Sequence, residues 1–115
     1  MTTARSTAFE VREFRRGDGN ALRALWLAAG FRLLGDDDAG LATFADRNPG
    51  LFLVATAPSG AILGSAMGAW DGRRGWLYHV ATAASYRRTG VASASVVARV
   101  TRYCRKRAAG TLMTA

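Results

Sequence analysis

The residues best suited to chemistry in this chain lie in one run, residues 86–92, between a strand-like apolar stretch and an amphipathic helix. A strand that turns through small residues directly into a helix points several unpaired backbone N–H groups at one place, where the helix dipole also favours an anion. Gly90 lets a ligand approach the backbone closely, and Ala92 and Ser93 keep the first helical turn free of bulk. The spacing therefore predicts a cradle for a pyrophosphate.

Positive charge lies within the same run. The guanidinium groups of Arg87 and Arg88 can reach phosphate oxygens through charge-assisted hydrogen bonds. The predicted cradle comprises Arg87, Arg88, Thr89, Gly90, Val91, Ala92 and Ser93.

Three of these residues carry a resemblance to a known family. Arg87, Gly90 and Ala92 fill the pattern Arg/Gln-x-x-Gly-x-Gly/Ala, and the chain thereby resembles the GNAT superfamily of N-acetyltransferases, in which this pattern binds acetyl-CoA at the start of the central helix. Residues 48–55, 62–65 and 76–82 resemble strands of the same family. The resemblance implies an α/β (α+β), acyl-CoA N-acyltransferase-like fold with a mixed, mainly antiparallel sheet flanked by helices. We expect it to be truncated after the fifth strand, without the family's last helix and closing hairpin.

The resemblance also implies an activity. The expected reaction is direct transfer of the acetyl group of acetyl-CoA, within a ternary complex, to an amine of a small molecule or a protein N-terminus. It implies that pantetheine lies along Val80, Ala81 and Thr82, with the backbone N–H of Val80 as the oxyanion donor. A non-catalytic remnant that binds acetyl-CoA or a partner protein is the alternative.

His79 is the candidate general base. It is the only histidine, it belongs to the strand that would meet the cofactor, and imidazole exchanges a proton near neutral pH. The alternative interpretation is that His79 lies on the other face of the sheet or contacts a helix. Since Tyr78 alternates with it in a regular strand, we expect only one of the two side chains to face the cofactor cleft.

Other polar and aromatic residues allow two interpretations. Asp36, Asp37 and Asp38 lie in a loop that borders the acceptor site in the resembled family, where they would attract an ammonium group or relay a proton. Helix capping and solvation explain them equally well. One histidine and one cysteine do not make a metal site, so no metal is expected. Structural packing is the interpretation for Cys104 and for the tryptophans Trp26, Trp70 and Trp76.

Composition sets the class of protein. A chain of 115 residues, 50% hydrophobic, predicts one domain over residues 1–115, with residues 1–8 flexible. We expect a cytoplasmic protein with no membrane partner, because no long apolar run is present and a single cysteine suits a reducing compartment.

The net charge of +8 raises the question of a nucleic-acid partner. All but one of the 16 cations are arginines spread along the chain, which argues against such a partner. One cluster is interpreted as a solvated helix face, with contact to CoA phosphate or RNA as alternatives. Its members are Arg99, Arg102, Arg105, Lys106 and Arg107.

Periodicity and turn signals predict the order of elements. Strands are expected over residues 9–14, 51–57, 61–71, 75–82 and 111–115, and helices over residues 18–29 and 41–46 and after the cradle. The helix after the cradle should bury one face. The residues of that face are Val96, Val97, Val100, Tyr103 and Cys104. The exposed edge of the strand from Thr111 to Ala115 is expected to pair with another chain in a homodimer or a hetero-complex.

Overall fold

The structure, a computed structural model, describes residues 9–86 and 96–103 and the backbone of residues 112–114. The strands are β1 (Glu10–Glu13), β2 (Phe52–Thr56), β3 (Ile62–Trp70), β4 (Gly75–Thr82) and β5 (Leu112–Thr114). The helices are α1 (Gly19–Ala28), α2 (Asp38–Arg47) and the helical residues 96–103, here called α3. A 3₁₀ turn, Ala84–Tyr86, follows β4.

All five strands form one sheet in the order β1-β2-β3-β4-β5. The first three pairs are antiparallel, and β5 pairs with β4 in parallel. Parallel neighbours need a long crossover connection, and α3 lies within the one between β4 and β5. The expected mixed, mainly antiparallel sheet flanked by helices is therefore confirmed.

Helices cover both faces of the sheet. One buried cluster joins α1 and α2 to the sheet through Leu22, Leu25, Trp26, Leu41, Phe52, Val54, Met67 and Ala81. The other joins α3 to the sheet through Leu51, Leu53, Ala55, Leu63, Ala66, Leu77, Val96 and Val100. Successive residues of β2 alternate between the two clusters, as the two-residue period of a strand requires. The predicted buried face of α3 is confirmed for Val96 and Val100, which are fully buried.

A side-chain cap marks the start of α2, and a left-handed glycine follows the end of α1. The carboxylate of Asp37 accepts a hydrogen bond from the Gly40 N–H at 2.9 Å, so α2 begins at Asp38 and not at Leu41 as the apolar pattern predicted. Gly30 has φ +90°, a left-handed conformation, two residues after the last residue of α1, Ala28.

An ion pair joins β1 to the start of α1. Arg12 donates to both carboxylate oxygens of Asp18, at 2.8 and 3.0 Å, and the backbone N–H of Arg15 donates to the same carboxylate at 2.8 Å. Burial alone would raise the pKa of Asp18. These hydrogen bonds outweigh it and hold that pKa below its ordinary value.

The turn between β3 and β4 is organised by Asp71. Its carboxylate accepts hydrogen bonds from the indole N–H of Trp76 at 2.9 Å and from the backbone N–H groups of Arg73 and Arg74, both at 2.8 Å. These bonds, that from Trp76 above all, lower the pKa of Asp71 to about 2. Trp76 therefore has a structural role in this hairpin, in agreement with the structural interpretation given to the tryptophans.

Some sequence-based predictions fall outside the described residues. They include the cradle residues 87–93, Cys104 and most of the basic cluster. Arg99 and Arg102 are described, and both are exposed as predicted; Arg99 donates to the carbonyl of Val11 in β1 at 3.1 Å. Over the described ranges, no helix has the length and apolar character needed to cross a membrane.

Candidate functional site

The site is built around a β-bulge in β4. On one side of the bulge Ala81 pairs with Ser65, and on the other Tyr78 pairs with Met67. Two residues of β4, His79 and Val80, therefore lie opposite the single residue Ala66 of β3. The backbone of His79 has φ +49°, a conformation that a non-glycine residue adopts at a cost and that is enriched at functional sites.

The bulge changes which side chains share a face. Leu77 and Val80 pack on the α3 side of the sheet, whereas Tyr78 and His79 both face α1 and α2. The regular alternation that the sequence analysis assumed for Tyr78 and His79 is absent, and which of them faces the cofactor cleft stays a prediction. The extra residue interrupts the two-residue alternation and places both side chains on the same cavity.

His79 combines packing with a polar contact. Its ring stacks on Phe31 with centroids 5.1 Å apart and lies 4.5 Å from the ring of Trp26 in α1. Its Nε2 lies 2.9 Å from Oδ2 of Asp36, a carboxylate whose side chain is only 8% exposed. The helix contact weighed in the sequence analysis is therefore present, together with a buried carboxylate partner.

The pairing determines which nitrogen of His79 can accept a proton. A carboxylate oxygen has only lone pairs to offer, so Nε2 must carry the hydrogen and donate it to Asp36. The lone pair of the neutral ring then lies on Nδ1. Asp36 thus selects one tautomer of His79.

Neighbouring residues hold Asp36 in place. Arg23 of α1 donates to the backbone carbonyl of Asp36 at 3.1 Å and to the carboxylate of Asp38 at 2.9 Å. Since Asp37 caps α2, the structural interpretation of the acidic loop is confirmed for Asp37 and Asp38. Asp36 alone turns inward and meets His79.

A buried serine ties the bulge to α1. The indole N–H of Trp26 donates to Oγ of Ser65 at 2.9 Å, and the Ser65 hydroxyl donates to the backbone carbonyl of His79 at 2.8 Å. Ser65 and Trp26 are completely buried. The sequence analysis missed this role of Ser65, for which the only signal was a hydroxyl within the otherwise apolar strand β3.

A cavity of about 310 Å³ lies at the His79 side chain, bordered by β4, α2 and the loop before α2. The ring of Tyr78 meets that of Phe44 edge to face, with centroids 5.9 Å apart. The lining residues are Leu34, Gly35, Asp36, Gly40, Phe44, Met67, Tyr78 and His79. Asp36 and His79 therefore both line a space large enough for a small organic group.

Part of the predicted cofactor site is described. Ala81 and Thr82 are buried and pair with Ser65 and Gly64 of β3. On the other edge of β4, the described residues of β5 pair only with Gly75, Trp76 and Leu77, although β4 continues to Thr82. Across the described residues, no group of three or more His, Cys, Asp or Glu side chains is placed to bind a metal ion.

Comparison with known proteins agrees with this geometry. The model of the acetyltransferase (GNAT) family matches residues 11–115. An acetyltransferase of Pectobacterium atrosepticum is 35% identical over 88 residues, which cover 76% of this chain and 62% of the relative, so the match spans less than two thirds of that protein.

Solved structures share the fold. Ard1 from Thermoplasma volcanium superposes with a TM-score of 0.73 at 22% identity, over 88% of this chain and 66% of that one. The NatB acetyltransferase complex bound to CoA and MES gives a TM-score of 0.66 at 18% identity, over 77% and 60% of the two chains. Together with the family match over most of its length, these findings show that the chain belongs to the GNAT family of acetyltransferases.

Proposed function

We propose that this protein is a cytoplasmic N-acetyltransferase that transfers the acetyl group of acetyl-CoA directly to an amine of a small molecule or a protein N-terminus. The observation that carries the proposal is the Asp36–His79 pair, which the bulge in β4 places on a cavity beside the strand. A base with a defined tautomer at the strand expected to meet the cosubstrate is what amine acetylation needs.

Two segments are the proposed contacts for acetyl-CoA. The backbone of Val80, Ala81 and Thr82, at the end of β4, is the proposed contact for pantetheine on the family resemblance. The pyrophosphate is assigned to residues 87–93 on their sequence pattern and on the family resemblance. Acetyl-CoA supplies an acetyl group already activated as a thioester.

The proposed transfer uses the bulge and the base together. The neutral amine attacks the thioester carbonyl carbon, the new C–N bond forms, and the C–S bond breaks to release CoA as a thiolate. His79 Nδ1 takes the proton that the amine loses, directly or through a water, and Asp36 stabilises the resulting imidazolium. The N–H of Val80 is the proposed donor to the oxyanion, since a bulge interrupts the regular ladder at this residue.

The first test is calorimetric titration with acetyl-CoA and CoA. The control variant Gly90→Glu blocks the proposed cradle by bulk and charge, and we expect it to abolish binding. Failure of the folded wild-type chain to bind either compound would refute the proposal.

The second test measures acetyl transfer to a panel of amines. His79→Gln should lower kcat about 10²- to 10⁴-fold without changing the affinity for acetyl-CoA, because a general base acts in the transfer step and not in cosubstrate binding. Asp36→Asn should lower kcat, because the amide no longer fixes the tautomer of His79. Tight binding of acetyl-CoA without transfer to any amine would instead favour the non-catalytic remnant.

We also propose that β5, the edge strand of the described sheet, pairs with a strand of another chain in a homodimer or a hetero-complex. Sedimentation velocity of the wild type and of Met113→Pro, which removes one backbone donor from β5, tests the proposal. A wild type that sediments as a monomer at every concentration would exclude the homodimer.

A further inference from the structure

Exposed apolar side chains gather at the His79 cavity. Three large hydrophobic residues are exposed within the described parts of the chain: Leu27 (59%), Leu34 (80%) and Tyr78 (37%). Two of them, Leu34 and Tyr78, line this cavity, whereas Leu27 does not. Apolar surface left open around a concave site marks a place where an apolar ligand group binds.

The charges around the cavity restrict that ligand further. The chain has 16 lysine and arginine residues, but none of them is among the described residues that line the cavity. The one carboxylate there is Asp36, close to His79. Arg23, the described cation next to Asp36, does not line the cavity and is engaged by the Asp36 carbonyl and the Asp38 carboxylate. A carboxylate or phosphate on the ligand would face the negative charge of Asp36 with no cation in the described lining, so this lining selects against anions.

We propose that this cavity binds the group attached to the acceptor's amine, and that the acceptor is a primary amine next to an uncharged, apolar or aromatic group. Leu34 and Tyr78 are the specificity-determining residues. The inference rests on the proposed function, because a ligand of this cavity is an acceptor only if the protein acetylates amines.

Size and shape agree with this class. A volume of about 310 Å³ is near the lower end of the range for ligand sites, and it accommodates one aromatic ring or branched aliphatic group. The edge-to-face rings of Phe44 and Tyr78 offer a surface against which a further ring can pack. The same chemistry occurs in free arylalkylamines and in the first residue of a peptide, and the experiment separates these two sources.

The experiment measures binding by NMR titration without acetyl-CoA, so that it does not depend on turnover. The probes are 2-phenylethylamine, a peptide amide with N-terminal Phe, ethanolamine and phosphoethanolamine. We expect the first two to bind at least tenfold more tightly than the last two, with shifts in the backbone amides of Leu34, Phe44 and Tyr78. If the peptide binds and the free amine does not, the acceptor is a chain terminus; the reverse result indicates a small molecule.

Two leucine variants provide a matched pair. Leu34→Asp places a charge at the cavity, and its exposure means that the fold should tolerate the change. It should weaken binding of 2-phenylethylamine about tenfold or more, whereas Leu27→Asp, an equally polar change away from the cavity, should alter it less than twofold. Equal effects of the two substitutions, or equal binding of the apolar and the phosphorylated amine, would overturn the inference.

Acetyl transfer to the same four amines separates the two proposals. Acetylation of phosphoethanolamine as efficiently as of 2-phenylethylamine would refute the acceptor class and support the proposed function. Apolar amines that bind in the cavity but are never acetylated when acetyl-CoA is bound would refute the proposed function, and their binding constants would still report the selectivity of the cavity.

Discussion

The hydroxyl of Ser65 joins two elements of the site, and its removal is the sharpest test of how the bulge is held. In Ser65→Ala the indole N–H of Trp26 loses its acceptor, and the carbonyl of His79 loses the donor that lies 2.8 Å away. Each buried polar group left unsatisfied costs about 1–3 kcal/mol. Trp26 is fully buried, so its unsatisfied indole N–H should account for most of the loss, and the partly buried carbonyl of His79 should add less. Together we expect a loss of about 3 kcal/mol in the free energy of unfolding.

Urea unfolding followed by circular dichroism measures this loss. Ser59→Ala is the matched control: Ser59 is exposed in the turn between β2 and β3, where its hydroxyl makes a 3.3 Å contact with the Ala61 N–H, and its removal should cost less than about 0.5 kcal/mol. Trp26→Phe and the double variant with both substitutions, Ser65→Ala and Trp26→Phe, complete a double-mutant cycle that isolates the contact between the indole N–H and the hydroxyl. A loss below about 1 kcal/mol in Ser65→Ala, or one equal to that in Ser59→Ala, would refute the role assigned to the hydroxyl.

Three further predictions follow from other contacts. Gly68→Ala should destabilise the protein by about 1–3 kcal/mol in thermal unfolding. A Cβ at this position would lie 2.7 Å from a methyl group of Val100 in α3 and 2.9 Å from the carbonyl oxygen of Leu51, the residue before β2. Gly40→Ala should lower acetyl transfer about tenfold with unchanged acetyl-CoA binding, since its Cβ would overlap the Gly35 carbonyl and displace the loop that holds the partner of His79. Asp71→Asn should lower the melting temperature at pH 5 but not near pH 2: a carboxylate whose pKa is lowered from 3.8 to about 2 contributes stability above pH 3.8 and loses it as the pH falls through 2.

Each of these predictions has a control or an outcome that would contradict it. An unchanged melting temperature in Gly68→Ala would contradict the predicted clash, since it would mean that α3 can move away from the sheet without loss of stability. Thr43→Ala, an exposed change on the same helix as Gly40, should leave transfer unaltered, and an equal loss in both variants would contradict the loop argument. Trp76→Phe should raise the pKa of Asp71 toward 3.8 in an NMR titration, and a value still near 2 would contradict the assigned cause.

Local patterns were sufficient for most of the elements. The bounds of β4 match the predicted residues 75–82, α1 differs from its prediction by one residue at each end, and the apolar period of α3 predicted the burial of Val96 and Val100. These features depend on side-chain periods and turn residues within a few positions of one another. The start of α2 was missed by three residues because the apolar period begins at Leu41, whereas the backbone N–H groups before it are satisfied by the Asp37 cap.

The candidate site needed the tertiary structure. The sequence by itself determined that His79 belongs to the strand before a phosphate-cradle pattern, and that acidic residues precede the second helix. Which aspartate reaches the histidine depends on how that loop docks against α1, and Asp36 and His79 are 43 positions apart in the chain. The shared face of Tyr78 and His79 depends on a bulge, which is a mismatch between two strands and is defined only once β3 and β4 are paired. Local periodicity therefore determined the elements, while the cavity and its proton-transfer pair were decided by contacts between residues far apart in the sequence.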